Sequence, residues 1–410
     1  MNTGDVLKNR MRRISNLFHT LYQSPSEIIS RAPGRAEILG CHTDYNHGFA
    51  LSCAISRNMI GLFSKRTNNI VNIYSMAYPG KPVSFSMTNI TRDPTNTWGN
   101  YGRAVIRELI TYGYQVSGAD ILIDSTVPKS GGVSSSAALE LAIAYGILAL
   151  YQQPIDPLSV AQLCRRAENS DLVNSPCGFL DQGTVAMAKE GEMVLLDFLP
   201  KGDTPVSNIT SIPAKLDSDV TFVIPVDLTL ERQLGSSGYV VRRKMCEDSL
   251  PFWQKILGKP VTSLRDISKD EFLAHRGELN TINPIMRKRV EHIIFENDRV
   301  LSAVARLEKG DTEGFGRIMT EAGESSLALY ELDENTPQLT LLVRYGRTIP
   351  GVIGIRNMGG GFSAVALALV KNEYLQSFKD TLQREYDKTF QRTLEFIEFS
   401  PSKGAEILKE

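Results

Sequence analysis

The chain has 410 residues, 42% hydrophobic and 22% charged, the composition of an ordinary globular protein; this excludes disorder, collagen or coiled coil as a description of the whole. Its 45 Lys+Arg balance 46 Asp+Glu, so the basic excess of a protein that mainly grips nucleic acid is missing, while room remains for a local basic pocket facing a phosphate. The five cysteines contain no Cys-x-x-Cys and the five histidines no His-Glu-x-x-His, which argues against a disulfide framework or a zinc site and for a reducing compartment.

Leu7, Met11, Ile14, Leu17, Phe18 and Leu21 recur at helical spacing and predict an amphipathic opening helix; its arginines lack the apolar core of a secretory signal. Residues 27–32 predict a strand running into Pro33-Gly34, and 48–64 and 70–76 predict strands with polar breaks. A helix is expected over 98–112, a strand over 119–125, helices over 137–151 and 157–171, and a strand over 191–198. Residues 141–151, the longest apolar run, are too few to span a bilayer. Leu199-Pro200-Lys201-Gly202-Asp203 is short and turn-rich, and divides the chain into expected domains 1–200 and 201–410. Beyond it, strands are expected over 220–227 and 364–370, a long helix over 284–309 closed by Gly310-Asp311, and residues 349–356 lead to Gly359-Gly360-Gly361. The expected class is α+β in two lobes. A cytoplasmic protein, monomeric or weakly dimeric, with no nucleic-acid or membrane partner, is the expectation.

Four segments carry chemistry. Lys129-Ser130-Gly131-Gly132-Val133-Ser134-Ser135-Ser136 opens a long helix, whose unpaired N–H groups and dipole favour an anion. It reads either as a phosphate cradle or as plain serine capping, and it lacks the Gly-Lys-[Ser/Thr] ending of a Walker loop. Residues 33–46 crowd Arg35, His42 and Asp44 into a turn-rich stretch, which is either a ligand-binding loop or a solvated one. Glu168 and Asp181, 13 positions apart, could share a magnesium ion and a proton-transfer role, or be unrelated surface carboxylates. Residues 354–362 include the three consecutive glycines Gly359-Gly360-Gly361, which permit close backbone approach or a tight turn.

Taken together and in order, these segments resemble the signature motifs of the GHMP kinase superfamily, in its galactokinase branch. PGRAEILGCHTDYNHG resembles PGRVNLIGEHTDYNxG, VPKSGGVSSSAALE resembles (V/I)PxGxGLSSSAALE, CGFLDQ resembles CGIMDQ, and GIRNMGGGF resembles GARMTGGGFGG. SSGYVVRRKMCED is similar to SSEYxxRRxxCE, Trp98-Gly99-Asn100-Tyr101 to WxNYVKGV, and Tyr330-Glu331-Leu332 to the YEVS segment. The resemblance spans residues 27–372 and implies a two-lobed GHMP kinase fold with the active site between the lobes.

It also implies an ATP- and Mg2+-dependent sugar 1-kinase whose partners are a small-molecule sugar and ATP. Carried over, Lys129, Ser130, Gly131, Gly132, Val133, Ser134, Ser135 and Ser136 would cradle the phosphates, with Trp98 near the adenine. Ser136 and Glu168 would hold magnesium. Asp181 matches the catalytic aspartate and Arg35 its neighbouring arginine, which would keep that carboxylate ionised. Cys41, His42, Asp44, Gly178 and Tyr239 match sugar-contacting positions. Departures include Glu37 for asparagine, Asn357-Met358 for Met-Thr, and Ser363-Ala364 for two glycines. Cys41 replaces a glutamate that faces the sugar's C6 hydroxyl in galactokinases. That glutamate would repel a C6 carboxylate by ~4 kcal/mol at ~4 Å and an effective dielectric of about 20. Its absence opens an alternative, a uronic acid 1-kinase such as a galacturonate kinase; a catalytically silent sugar sensor is a further one.

Overall fold

A computed structural model describes residues 3–129, 131–230, 238–332 and 336–409, without the side chains of residues 3–6 and Tyr239. Ser130 and the Tyr239 side chain, both expected at the site, therefore lie outside the described residues. In chain order the first elements are α1 (Thr3–Tyr22), β1 (Ile28–Leu39), β2 (Phe49–Lys65), β3 (Ile70–Ser75), β4 (Val83–Ser86), α2 (Gly99–Tyr112), β5 (Ala119–Ser125), α3 (Ser135–Leu150), α4 (Pro157–Asn169), α5 (Leu180–Met187), β6 (Glu192–Asp197) and β7 (Asn208–Pro213). There follow β8 (Val220–Val226), α6 (Gly238–Leu257), α7 (Lys269–Ile282), α8 (Pro284–Lys309), α9 (Thr312–Leu329), α10 (Pro337–Arg344), β9 (Val352–Asn357), β10 (Ala366–Lys371), α11 (Leu375–Phe390), β11 (Glu395–Phe399) and β12 (Glu406–Leu408).

Two sheets organise these elements. An eight-stranded sheet runs β12-β1-β2-β5-β3-β4, with β6 on β2 and β7 on β6; a four-stranded antiparallel sheet runs β11-β8-β10-β9. The expected break within 48–64 does not occur: Ser56, Arg57 and Asn58 are more exposed than their neighbours, but the strand continues through them as β2. The turn at 199–203 joins β6 to β7, so the expected domain boundary falls inside the first sheet, and β12 brings the chain's end back to β1.

Helix α3 is apolar nearly all round and buried along its length, as a helix running through a core must be. It packs on β1 and β2 and fixes where its own N-terminus points. The opening helix α1 lays Ile14 and Phe18 against Ile60, Leu62 and Leu122 on the sheet. Helix α8 is set by Asn283, whose side chain accepts from the Ile285 and Met286 N–H groups, by Pro284 in its first turn, and by Gly310 at its end. Among the described residues, no helix is long and apolar enough to cross a membrane.

Candidate active site

The serine loop enters α3 through Ser134, whose backbone is left-handed and whose side chain makes no cap bond. Simple serine capping therefore does not describe this helix start, and its first turn points the positive end of the dipole into the loop. Two strand residues hold the loop. The register of β1 against β2 shifts between Pro33 and Arg35, and such a bulge re-aims the side chains beside it. Here the Arg35 N–H donates to Val133 O at 3.1 Å and its guanidinium to Gly132 O at 2.6 Å. Gly34 is required at this crossing, since a Cβ there would lie 2.7 Å from Val133 O.

The same guanidinium reaches Asp181. Arg35 Nε donates to Asp181 Oδ1 at 2.9 Å, and a second nitrogen lies 2.7 Å from that oxygen. Asp181 stands in the first turn of α5, where the helix dipole also favours a carboxylate. Its side chain retains 27% of its surface, against 5% for Arg35, so the acid is the accessible member of the pair.

Glu168, near the end of α4, is buried, and burial with the nearby Asp181 charge pushes its pKa above the usual carboxylate value. Ser136 and Ser175 bond it, and Gln182 Nε2 donates to its Oε2 at 2.7 Å. Gln182 also donates to Glu140 Oε2 at 3.0 Å. Burial and the Glu168 charge raise the Glu140 pKa well above its ordinary value. A hydroxyl and a carboxylate side by side form the hard-oxygen set that magnesium takes beside phosphate oxygens, so Ser136 and Glu168 fit that ion.

Across from the acid lies the loop after β1. A Cβ on Gly178 would sit 2.5 Å from Asp44 Oδ2, so any larger residue there would displace the Asp44 carboxylate. That contact brings Asp44 to the segment preceding Asp181, and burial pushes the Asp44 pKa up to about 6. His42, left-handed at φ +64°, approaches Gly360 O with Nε2 at 3.1 Å and Tyr45 Oη with Nδ1 at 3.0 Å; burial lowers its pKa to about 3. Cys41 turns toward the glycine loop, its thiol donating to Gly359 O at 3.3 Å and accepting from Asn357 Nδ2 at 3.3 Å. The side chain is 1% exposed, so the structure seats Cys41 in packing beneath the loop.

Trp98 stacks on Tyr78 with ring centroids 5.3 Å apart and planes 5° from parallel, and its indole N–H donates to Lys81 O. Lys129 Nζ lies 3.4 Å from the Tyr78 ring centroid and donates to Ala77 O. The structure thus groups Arg35, Asp181, Gly131–Ser136, Glu168, Gly178 and Asp44, while Trp98 and Lys129 meet on Tyr78. Sequence reasoning missed Tyr78, Glu140 and Gln182. The last two lie inside quoted motifs, whereas Tyr78 sits between strands with no local pattern to mark it.

Residues 100–189 match the GHMP kinases N terminal domain, and residues 16–65 match the galactokinase galactose-binding signature. The fold is similar to a Lactococcus lactis galactokinase complexed with galactose, at 26% identity and a TM-score of 0.86, over 97% of this chain and 100% of that one. A Methanococcus jannaschii mevalonate kinase shares the fold at 16% identity and a TM-score of 0.60, over 94% of this chain and 99% of that one. So does a Streptococcus pneumoniae phosphomevalonate kinase in complex with phosphomevalonate and AMPPNP, at 14% identity and a TM-score of 0.62, over 93% and 100%. The chain thus carries a GHMP kinases N terminal domain and a galactokinase galactose-binding signature on a fold similar to that of a galactokinase.

Proposed function

We propose that this kinase transfers the γ-phosphoryl group of ATP to the anomeric hydroxyl of a galactose-type sugar. One observation carries the reading: the Arg35 guanidinium joins the phosphate loop, through Gly132 O, to the accessible carboxylate of Asp181. A sugar hydroxyl against Asp181 thereby faces a phosphoryl group held at the start of α3, with a fixed positive charge beside both. Phosphoryl transfer asks chiefly for such positioning and charge neutralisation. The sugar oxygen bonds to the γ-phosphorus, the bond from that phosphorus to the ADP oxygen breaks, and Asp181 receives the hydroxyl proton. Asp44, an acceptor only when ionised, suits two neighbouring sugar hydroxyls. Ser136 and Glu168 would hold magnesium, which when bound neutralises phosphate charge. Trp98, Tyr78 and Lys129 would border the nucleotide base.

Cys41 is spent on Gly359 and Asn357, which favours a neutral sugar held by other groups over a specificity role for the thiol. The test is ADP release from ATP and magnesium with D-galactose, D-galacturonate, D-glucuronate, N-acetylgalactosamine and a no-sugar control. Turnover with galactose is the expected result. Turnover confined to a uronate would reassign the substrate. Tight sugar binding without turnover on any acceptor would overturn the kinase reading in favour of a sensor.

A further inference from the structure

The described part of one resembling segment, residues 238–248, meets another, Tyr330-Glu331-Leu332, behind the loop that carries His42 and Asp44. Arg242 Nε donates to Tyr330 O at 2.7 Å, and another of its nitrogens donates to Glu331 O at 3.1 Å. Arg289 on α8 donates to Leu329 O at 2.6 Å and pairs with the Glu331 carboxylate. Two guanidiniums therefore hold the chain on both sides of Tyr330, whose side chain is wholly buried. Its ring stacks on His42, with centroids 4.6 Å apart, and meets His292 at a tilt of 52°. Its hydroxyl lies 3.0 Å from the Tyr45 hydroxyl and 3.3 Å from the Cys246 thiol.

The direction of every hydrogen in this chain follows from its end. A carbonyl only accepts, so His42 Nε2 carries the hydrogen that goes to Gly360 O. Neutral His42 then offers Nδ1 as an acceptor, and the Tyr45 hydroxyl donates to it. Tyr45, its hydrogen used, accepts from Tyr330, and Tyr330 accepts from Cys246. Asn46 donates to His42 O at 2.9 Å and closes the loop on itself. Loop 42–46 is thus fixed from outside the reaction space by a relay that begins in the second half of the chain.

We propose that Tyr330 is a positioning residue for the sugar site, holding the His42–Asp44 loop in register through Tyr45, with Arg242, Arg289 and Cys246 as its mount. This rests on the sugar-kinase reading for its effect on substrate, and on geometry alone for its effect on His42.

The test is Tyr330→Phe, which keeps the ring stack and deletes only the hydroxyl. The KM for galactose should rise about tenfold, the worth of one buried hydrogen bond, with the KM for ATP within about twofold of wild type. Because the deletion leaves buried partners, Tyr45→Phe and Cys246→Ser are made in parallel; Tyr45→Phe should reproduce the galactose defect, and Cys246→Ser, which keeps a donor, should retain the wild-type KM. Nitrogen NMR of 15N-histidine-labelled protein without ligand gives a second readout: the His42 Nδ1 signal should move toward an unbonded acceptor in Tyr45→Phe and shift in Tyr330→Phe. An unchanged galactose KM in Tyr330→Phe overturns the proposal, as does an equal rise in both KM values. Wild type that phosphorylates no sugar overturns the functional reading instead. The positioning claim is then decided by the His42 signal, and an unmoved signal in Tyr330→Phe defeats it.

Discussion

Asp181 and Asp44 are both carboxylates, but their surroundings set them different tasks. Asp181 is paired with Arg35 beside the loop that opens α3, and on the proposed reading it is the group that takes the proton. Asp181→Asn keeps the shape and removes the acceptor charge. Turnover should fall by about 10²- to 10⁴-fold, with the galactose dissociation constant by calorimetry within a few-fold of wild type. Turnover within tenfold of wild type would remove Asp181 from the proton-transfer role. For Asp44, burial outweighs the pull of the Arg243 charge and lifts its pKa to about 6. On the proposed reading the sugar hydroxyls donate to the ionised form, so the galactose KM should climb as pH drops below about 6, while the buried His42 contributes no step because it stays neutral down to about pH 3. Stability moves the other way. A carboxylate whose folded pKa exceeds its unfolded value of about 3.9 binds its proton more tightly when folded, so it favours the fold at low pH and costs stability as pH rises through about 6. Asp44→Asn should therefore raise the melting temperature at pH 7, leave it unchanged near pH 3, and abolish galactose binding. A melting temperature unchanged or lowered at pH 7 would show that Asp44 is not ionised at a cost.

The strand–loop–helix of β5, the serine loop and α3 was legible in the sequence because its signals are local: an apolar strand, a glycine-containing turn, and a helix that starts at the serines. The helix begins at Ser135, two positions before the expected start, since two of the serines enter the first turn. Contacts between distant elements left no such trace. Gln182 joins Glu140 across 42 positions, and Tyr330 meets Tyr45 across 285. Cys41 shows the difference most plainly. Read alone, its replacement of a glutamate looked like a change in the sugar pocket. In the structure it touches Asn357, another departure from the quoted galactokinase motifs, so the two substitutions share one buried contact between the loop after β1 and the end of β9. Cys41→Glu alone would force a longer, charged side chain beside the carboxylates of Glu37 and Glu296. We expect it to destabilise the fold, and Cys41→Glu combined with Asn357→Met, the family pairing, to be better tolerated than the sum of the singles by about 0.5–3 kcal/mol. Strict additivity in a double-mutant cycle of unfolding free energies would show that the two departures are independent.

Both sheets contribute to the site, and buried charge joins them. Arg356, at the end of β9, has no exposed surface. It donates to Ile38 O on β1 at 2.9 Å and to Glu37 Oε1 at 3.2 Å, and lies 3.6 Å from Glu296 Oε1 on α8. Glu296 in turn accepts from Gly40 N–H at 2.9 Å, and Arg299 and Arg356 draw its pKa down to about 2. The first residues of the sugar loop, the glycine loop and the long helix thus share one ion cluster, and Arg35 and Cys41 lie on the same strand and its exit. Burial pushes the Glu37 pKa up, and Arg356 and Arg35 pull it back down. Taking one partner from a buried cluster of this kind costs about 3–5 kcal/mol, because the remaining charge is left in a poor medium. Arg356→Met fills the volume without the charge and should lower stability by that amount at pH 7, read from thermal unfolding. Adding Glu37→Gln removes the stranded carboxylate and should recover part of the loss. The galactose KM of the double variant should stay raised, since the Arg356 bond to Ile38 O just ahead of the loop is still missing. Stability of Arg356→Met within about 1 kcal/mol of wild type, or full recovery of the galactose KM in the double variant, would mean that this cluster neither holds the two sheets together nor sets the loop.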